Sequence, residues 1–83
     1  MVMDERELLK KARQAFENTK GTQRDVARAL GLNRSSVSRA LRNSGLKHAA
    51  VQARILSLLE DTPVERRSTY EGAKVYHQWI TSP

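Results

Sequence analysis

Cysteine is absent from this sequence of 83 residues, so neither a disulfide bond nor a thiolate metal site can stabilise the fold. A chain without disulfide bonds fits a reducing cytoplasm. No apolar run approaches the roughly 18 residues that a membrane helix needs. Residues 1–3 lead directly into charged residues, without the apolar segment of a signal peptide. We therefore expect a cytoplasmic protein that does not contact a membrane.

The sequence also lacks the groupings of side chains that support metal binding or catalysis. His48 and His77 are isolated histidines without the spacing of metal ligands, and the acids Glu60 and Asp61 are adjacent rather than placed as an acid–base couple. No glycine-rich loop is available to bind a phosphate group, and the serines have no recognisable His and Asp partners. We expect no enzymatic activity, no metal site and no cofactor.

The charge that the sequence does carry is basic and concentrated in one segment. The formal net charge is +6, and 83 residues give room for a single small domain. Residues 22–47 carry five of the six excess charges, because one acid, Asp25, stands against six cations: Arg24, Arg28, Arg34, Arg39, Arg42 and Lys47. A local basic excess is typical of proteins that bind polyanions. A basic surface that only improves solubility is the alternative.

The segment 22–43 predicts two short helices joined by a tight turn. Val26, Ala27 and Leu30 share one helical face. Gly31 follows at once, where an abruptly ending helix needs a residue that accepts positive φ. The second helix has an apolar face of Val37, Ala40 and Leu41 and an outward polar face of Asn33, Arg34, Ser35, Ser38, Arg39 and Arg42.

These residues resemble the helix-turn-helix motif of Cro-type and lambda-repressor-type DNA-binding proteins. Ala27, Gly31 and Val37 stand at the positions that set the spacing of that motif. The run 22–41, about a quarter of the chain, is also similar to the DNA-reading headpiece of the lac-repressor family. In that family a large sugar-binding domain follows the motif. Here a helix precedes the motif and we expect no such domain to follow it, so the architecture resembles the small repressors of phages and plasmids.

The resemblance and the residue types together predict DNA contacts. The second helix should enter the major groove, where arginine favours guanine and serine accepts several partners. We expect base contacts from Asn33, Arg34, Ser35, Ser38 and Arg39. We expect phosphate contacts from Thr22, Gln23, Arg24, Arg42 and Lys47. The role of Gln23 follows from the resemblance, because a glutamine at this position of the motif binds a backbone phosphate in Cro-type proteins.

Capping residues predict where the first two helices begin. Residues 4–18 form the first helix, in which Asp4 and Glu7 have the spacing of a capping box. Thr22 and Asp25 predict a similar start for the second helix.

The third and fourth helices are predicted at residues 33–43 and 46–60, with Gly45 as the left-handed residue that ends the third. The fourth helix is more apolar than a three-helix core requires. It either closes the core or meets a second copy of the chain, through residues such as Ile55 and Leu59.

The C-terminal residues differ in composition from the rest of the chain and include three of its four aromatic residues. Strand-favouring residues at 68–70 and 74–80, with a turn at residues 71–72, predict a β-hairpin. A helix over residues 70–80 is the alternative. A lone hairpin is marginal in water and leaves an open edge, so we expect a homodimer. The expected contacts are Tyr70, Val75, Tyr76 and Trp79, in the region through which Cro-type repressors dimerise.

We therefore predict a mainly α fold, a helix-turn-helix bundle of four helices with a C-terminal β-hairpin used in dimerisation. Residues 1–61 form the DNA-binding domain and residues 62–83 the dimerisation tail. The expected function is that of a dimeric repressor of transcription, which binds double-stranded DNA at an inverted-repeat operator in the nucleoid. The alternatives are an antitoxin whose tail binds a protein partner, an accessory factor of DNA excision, and an interaction module that binds no nucleic acid.

Overall fold

The computed structural model of the chain describes residues 1–81 and is mainly helical with one small antiparallel sheet. Two residues of the predicted tail, Ser82 and Pro83, lie outside the described residues. The elements follow in the order β1 (Val2–Met3), α1 (Glu5–Glu17), α2 (Gln23–Leu30), α3 (Arg34–Ala40), α4 (Leu46–Glu60), β2 (Val64–Glu71) and β3 (Lys74–Thr81).

Helix α1 begins at the predicted capping box. An Oδ1 atom of Asp4 accepts a 2.8 Å hydrogen bond from the backbone N–H of Glu7. The Glu7 side chain accepts a 3.3 Å hydrogen bond from the backbone N–H of Asp4 in return. The apolar stripe of this helix faces inward, with Leu8, Ala12 and Ala15 buried. Both predictions for this helix are confirmed.

The core consists of two neighbouring apolar clusters. The first joins α1 to α2, α3 and α4 through Ala12, Val26, Ala27, Val37, Ala40, Leu41 and Ile55. The second joins α1 and α4 to the sheet through Met3, Leu8, Ala15, Ala49, Leu56 and Trp79. Leu59 packs against both clusters. The α2–α3 pair and the sheet therefore share α1 and α4 as a common support.

The C-terminal hairpin is confirmed, and the helix considered for residues 70–80 is wrong. β2 and β3 pair antiparallel from Val64↔Thr81 to Glu71↔Lys74. The turn lies one residue later than predicted, because Glu71 still pairs and the loop consists of residues 72–73. Gly72 adopts a φ of 61° there, and glycine at the first position of a two-residue loop favours a type II′ turn.

The short strand β1 was not predicted. It pairs antiparallel with β3 through Val2↔Ile80 and Met3↔Trp79, and the sheet has the order β1–β3–β2. The backbone of Met1 also exchanges two hydrogen bonds of 2.9 Å with the backbone of Thr81. The N-terminus is thus attached to the last strand, and β2 forms an edge of the sheet.

Two of the predicted dimer contacts are wrong. Ile55 is 0% exposed and Trp79 is 2% exposed within a single chain, so neither presents surface to a second copy. Both residues are part of the chain's own core, since the helical stripe of α4 and the strand β3 pack onto α1. The surplus apolar residues of α4 therefore mostly close this core. No helix within residues 1–81 is long and apolar enough to cross a membrane.

Helix α3 ends earlier than predicted, and Gly45 does not terminate it. The helix stops at Ala40, and Leu41 caps it with a right-handed backbone conformation. Gly45, at a φ of 113°, is instead the N-cap residue of α4. The terminal carbonyl groups of α3 have other partners: the Asn43 side chain donates to Arg39 at 2.9 Å, and Gln52 donates to Ala40. A left-handed glycine is therefore not required at this end.

Candidate nucleic-acid interface

The first turn of α2 is held by a second capping box, as predicted. The Thr22 Oγ1 atom accepts a 3.2 Å hydrogen bond from the backbone N–H of Asp25. The Asp25 carboxylate accepts a 2.9 Å hydrogen bond from the backbone N–H of Thr22. That hydrogen bond to the carboxylate, an interaction of the carboxylate with the Thr22 side chain, and the charges of Arg28 and Arg24 lower the pKa of Asp25. An ionised Asp25 therefore fixes the start of α2.

The turn between α2 and α3 is fixed by backbone geometry and by a contact from α4. Gly31 has a φ of 68° and a ψ of 32°, the predicted left-handed conformation. The N–H of Leu32 donates a 2.8 Å hydrogen bond to the carbonyl of Ala27. From α4, the Arg54 guanidinium donates a 2.7 Å hydrogen bond to the carbonyl of Leu30. A cation thus closes the negative end of the α2 dipole.

Helix α3 has one buried face and one exposed face. Val37 and Ala40 are buried at 0% exposure. Ser35 and Arg39 stand at i and i+4 on the opposite face, and both are exposed. Arg42, in the turn that follows α3, is exposed as well. Burial of one face against the core therefore leaves the cationic face turned outward.

The residues predicted to contact bases mostly lie on this exposed surface. Asn33, Arg34, Ser35 and Arg39 are exposed, whereas Ser38 is half-buried. Asn33 is the N-cap residue of α3, yet its side chain makes no capping hydrogen bond. The carbonyl of Ser38 accepts a 3.3 Å hydrogen bond from Nε of Arg42, which lays the Arg42 side chain back along the helix.

Two shallow grooves contain predicted phosphate-contacting residues, and the first also contains a predicted base-contacting residue. Thr22, Gln23, Arg24 and Arg34 line the first groove. Gln23 also lines the second groove, with Arg13, Phe16, Glu17, Leu41 and Arg42. Gln23 therefore stands between the two grooves, and Arg34, predicted to contact bases, shares a groove with three residues predicted to contact phosphate.

The structure does not bring every predicted residue to this surface. Lys47 is exposed in the first turn of α4 and lines neither groove. The other predicted dimer contacts lie on separate elements: Tyr70, Val75 and Tyr76 are exposed on the hairpin, and Leu59 is half-buried on α4. β2 packs on α4 and β3 on α1, so the hairpin is supported by the two helices that carry the α2–α3 pair.

Two α4 residues that support this surface, Gln52 and Arg54, were missed. Gln52 is the buried polar residue of the core, at 0% exposure. A signal for it existed in the sequence, because Ala49, Gln52 and Leu56 stand at i, i+3 and i+7 of a buried helical stripe. A polar residue at such a position needs buried hydrogen-bond partners. The contact of Arg54 with α2 spans 24 residues and leaves no local sequence signal.

The chemistry of this surface suits anions, and known proteins add no precedent. The exposed guanidinium and hydroxyl groups donate hydrogen bonds of the kind that phosphates and base edges accept. Among residues 1–81, no three His, Asp or Glu side chains are grouped to hold a metal ion. No protein-family model, curated protein or solved structure matches the chain.

Proposed function

We propose that this chain is a sequence-specific double-stranded DNA-binding protein in which α2, the Gly31 turn and α3 act as a helix-turn-helix. It works as a homodimeric repressor of transcription that occupies an inverted-repeat operator. Such a protein acts in the cytoplasm at the nucleoid. The C-terminal hairpin serves its dimerisation.

The proposal depends on one observation: the cations of the basic segment are exposed on helices whose other faces form the core. Arg24, Arg34 and Arg39 are exposed on α2 and α3, and Arg42 is exposed in the turn after α3, while Val37 is fully buried. Five of the six excess positive charges of the chain lie between residues 22 and 47. A rigid surface of this charge supports binding of a polyanion with a defined shape.

The grooves support the assignment of some residues to base edges and of others to phosphates. Arg39 and Ser35 stand at the centre of the exposed face of α3 and are assigned to base edges, with Asn33 and Ser38 beside them. Thr22, Gln23 and Arg24 surround the start of α2, where free N–H groups attract a phosphate. Arg34 shares that groove, so it bridges the two sets. Arg42 and Lys47 are assigned to flanking phosphates.

A homodimer would place two α3 helices in successive major grooves, about 34 Å apart. The operator would then be an inverted repeat, because the symmetry of the site mirrors that of the dimer. Affinity would fall steeply with salt, since cation–phosphate contacts release counterions.

Selection of bound duplexes from a random pool, followed by footprinting, tests the proposal. We expect an enriched inverted repeat with half-sites about one helical turn apart. Enrichment of a single half-site would preserve DNA recognition and contradict the dimer. Binding without enrichment would contradict sequence specificity, and failure to bind any duplex at low salt would contradict DNA binding itself.

A matched pair of variants makes this test specific for the assigned surface. The Arg24→Ala/Arg39→Ala variant should lose enrichment and most of its duplex affinity. The Arg6→Ala/Lys10→Ala variant removes the same charge from α1, at two exposed residues that line neither groove. It should enrich the same sequence as the unaltered chain.

A further inference from the structure

The strand β2 is an open edge of the sheet and is exposed along almost its whole length. β3 lies between β1 and β2, so one side of β2 has no neighbouring strand in the described chain. Every residue from Glu65 to Glu71 is exposed. Tyr70 is 77% exposed, the highest value among the exposed large apolar side chains. An edge of this kind is a template for strand pairing.

The hairpin turn determines which backbone groups of β2 point to this edge. The two-residue loop makes Glu71↔Lys74 a hydrogen-bonded rung, and hydrogen-bonded rungs alternate along an antiparallel pair. The N–H and C=O groups of Thr69 therefore point to β3. Those of Ser68 and Tyr70 point to the open edge, where they are free to bond another strand.

We propose that β2 of a second copy of the chain pairs antiparallel with this edge, with the two-fold axis at Thr69. The two three-stranded sheets then form one continuous six-stranded sheet. This inference supplies the contact surface for the homodimer in the proposed function. It rests on that homodimer and not on the binding of DNA.

Charge selects this register among the neighbouring ones. With the axis at Thr69, Arg67 of each copy lies opposite Glu71 of the other, which gives two favourable pairs. An axis at Ser68 would place Glu65 opposite Glu71. An axis at Arg67 or at Arg66 would place that arginine opposite itself. An axis at Tyr70 would form no pair of opposite charges.

The same register gathers the exposed apolar side chains of the hairpin. Tyr70 lies opposite Val75 within one chain, and these side chains are 77% and 45% exposed. With the axis at Thr69, the Tyr70 side chains of the two copies become diagonal neighbours, within the reach of aromatic rings. On the other face, Tyr76 lies opposite Thr69, so a Tyr–Thr–Thr–Tyr row crosses the joined sheet.

The geometry separates the helical parts of the two copies. Each Val64 marks the end of β2 nearest the helices, and the two Val64 residues stand ten strand positions apart in this register. At about 3.3 Å per residue, this separation is roughly 33 Å along the strands. The two-fold pairing uses both β2 edges, so the assembly closes as a dimer.

Single-cysteine cross-linking tests the register directly, because the chain has no cysteine of its own. The residue on the axis faces itself across a non-hydrogen-bonded rung, where the Cα atoms lie about 4.5 Å apart, within disulfide range. We expect Thr69→Cys to form a covalent dimer under mild oxidation. Arg67→Cys, Ser68→Cys and Tyr70→Cys should form much less, and Lys20→Cys reports random collision.

Two outcomes of that experiment would overturn the proposal. Preferential cross-linking of Ser68→Cys or Tyr70→Cys would show an axis at another residue. No cross-linking of Thr69→Cys above the level of Lys20→Cys would show that the β2 edges do not meet.

Charge reversal, followed by sedimentation without DNA, provides an independent measurement. Arg67→Glu should weaken the dimer about tenfold or more, because two favourable pairs become two Glu–Glu pairs. Lys10→Glu makes the same charge change on α1 and should leave the dimer intact. Adding Glu71→Arg and Lys74→Glu to Arg67→Glu should restore it.

An unchanged dimer in Arg67→Glu would overturn the register. No DNA is present in either experiment, so a failure here is distinct from a failure of the proposed DNA binding.

Discussion

The side-chain amide of Gln52 in α4 donates a 2.9 Å hydrogen bond to the backbone carbonyl of Ala40, the last residue of α3. The same nitrogen donates a 2.7 Å hydrogen bond to the carbonyl of Asn43. The final carbonyl groups of a helix have no hydrogen-bond partners within the helix. Here the buried side chain of Gln52 is the donor. Gln52 thus fixes the end of α3 relative to α4.

Replacement of Gln52 by methionine should lower the free energy of unfolding by about 1–3 kcal/mol, because a buried carbonyl group and a partly buried one lose their donor at nearly constant volume. Urea unfolding measures this loss. The Gln52 Oε1 atom has no hydrogen-bond partner among the described residues, so its removal offsets a part of the cost. Gln14→Met, on the exposed side of α1, is the control and should change stability by less than about 0.5 kcal/mol. An unaltered urea midpoint in Gln52→Met would contradict the role of Gln52 in fixing the end of α3.

Replacement of Arg39 by alanine should weaken binding to the selected operator by about 1–3 kcal/mol and weaken binding to random duplex much less. The reason is that Arg39 lies on the exposed face of α3, where a guanidinium can reach guanine. Competition binding at one fixed salt concentration measures both affinities. Arg28→Ala removes an exposed charge from the last turn of α2 and serves as the control. Equal losses on the two duplexes in Arg39→Ala would show a phosphate contact.

The parts of the fold that were predictable from the sequence depend on neighbours within a few residues. The capping boxes of Asp4 and Thr22 each join residues three apart, and Gly31 takes the left-handed conformation that an abrupt helix end requires. The exposed face of α3 followed from helical spacing in the same way. Each of these features is encoded locally, so a pattern of residue types is sufficient to find it.

Gly31 provides a direct test that the turn is determined by local sequence. Its φ is 68°, and an added Cβ atom would meet no other atom within 4 Å. The cost of a substitution is therefore conformational rather than steric. Gly31→Val should lower the stability by about 1–2 kcal/mol or more, whereas Gly31→Asn should cost less, because asparagine tolerates the left-handed region. Thermal melting measures both. Gly21→Ala, at a glycine without positive φ, is the control, and equal melting of Gly31→Val and the unaltered chain would contradict the turn.

The features that the sequence did not reveal depend on contacts between distant residues. Strand β1 has two residues, too few for an alternating pattern. It forms because β3 offers it an edge 76 to 78 positions away, through Met3↔Trp79 and Val2↔Ile80. The burial of Ile55 and Trp79 was missed for a related reason. An apolar residue on a stripe looks the same whether it meets its own chain or a partner.

Trp79 tests whether the sheet and the helices form one cooperative unit. It is 2% exposed and packs in the cluster that contains Leu8 and Leu56. Trp79→Ala should lower the free energy of unfolding by about 3–5 kcal/mol, because it leaves a cavity in the shared core. Far-ultraviolet circular dichroism during denaturation measures this loss in the helices. Tyr70→Ala removes an exposed aromatic from the same hairpin, and it should leave the unfolding of the monomer nearly unchanged.

Protonation of Asp25 should weaken α2 at acidic pH. Hydrogen bonds with Thr22 and the nearby charges of Arg28 and Arg24 lower its pKa from the ordinary value of 3.8. A carboxyl group with a lowered pKa in the folded state stabilises that state above the ordinary value, and the contribution disappears as pH falls through the folded pKa. Asp25→Asn should therefore be less stable than the unaltered chain at pH 7, and the difference should shrink as the pH falls below the ordinary value of 3.8. Urea unfolding across this range measures the difference, and Glu65→Gln, outside any capping box, controls for net charge. A difference that does not shrink as the pH falls would show that the carboxylate charge is not its source.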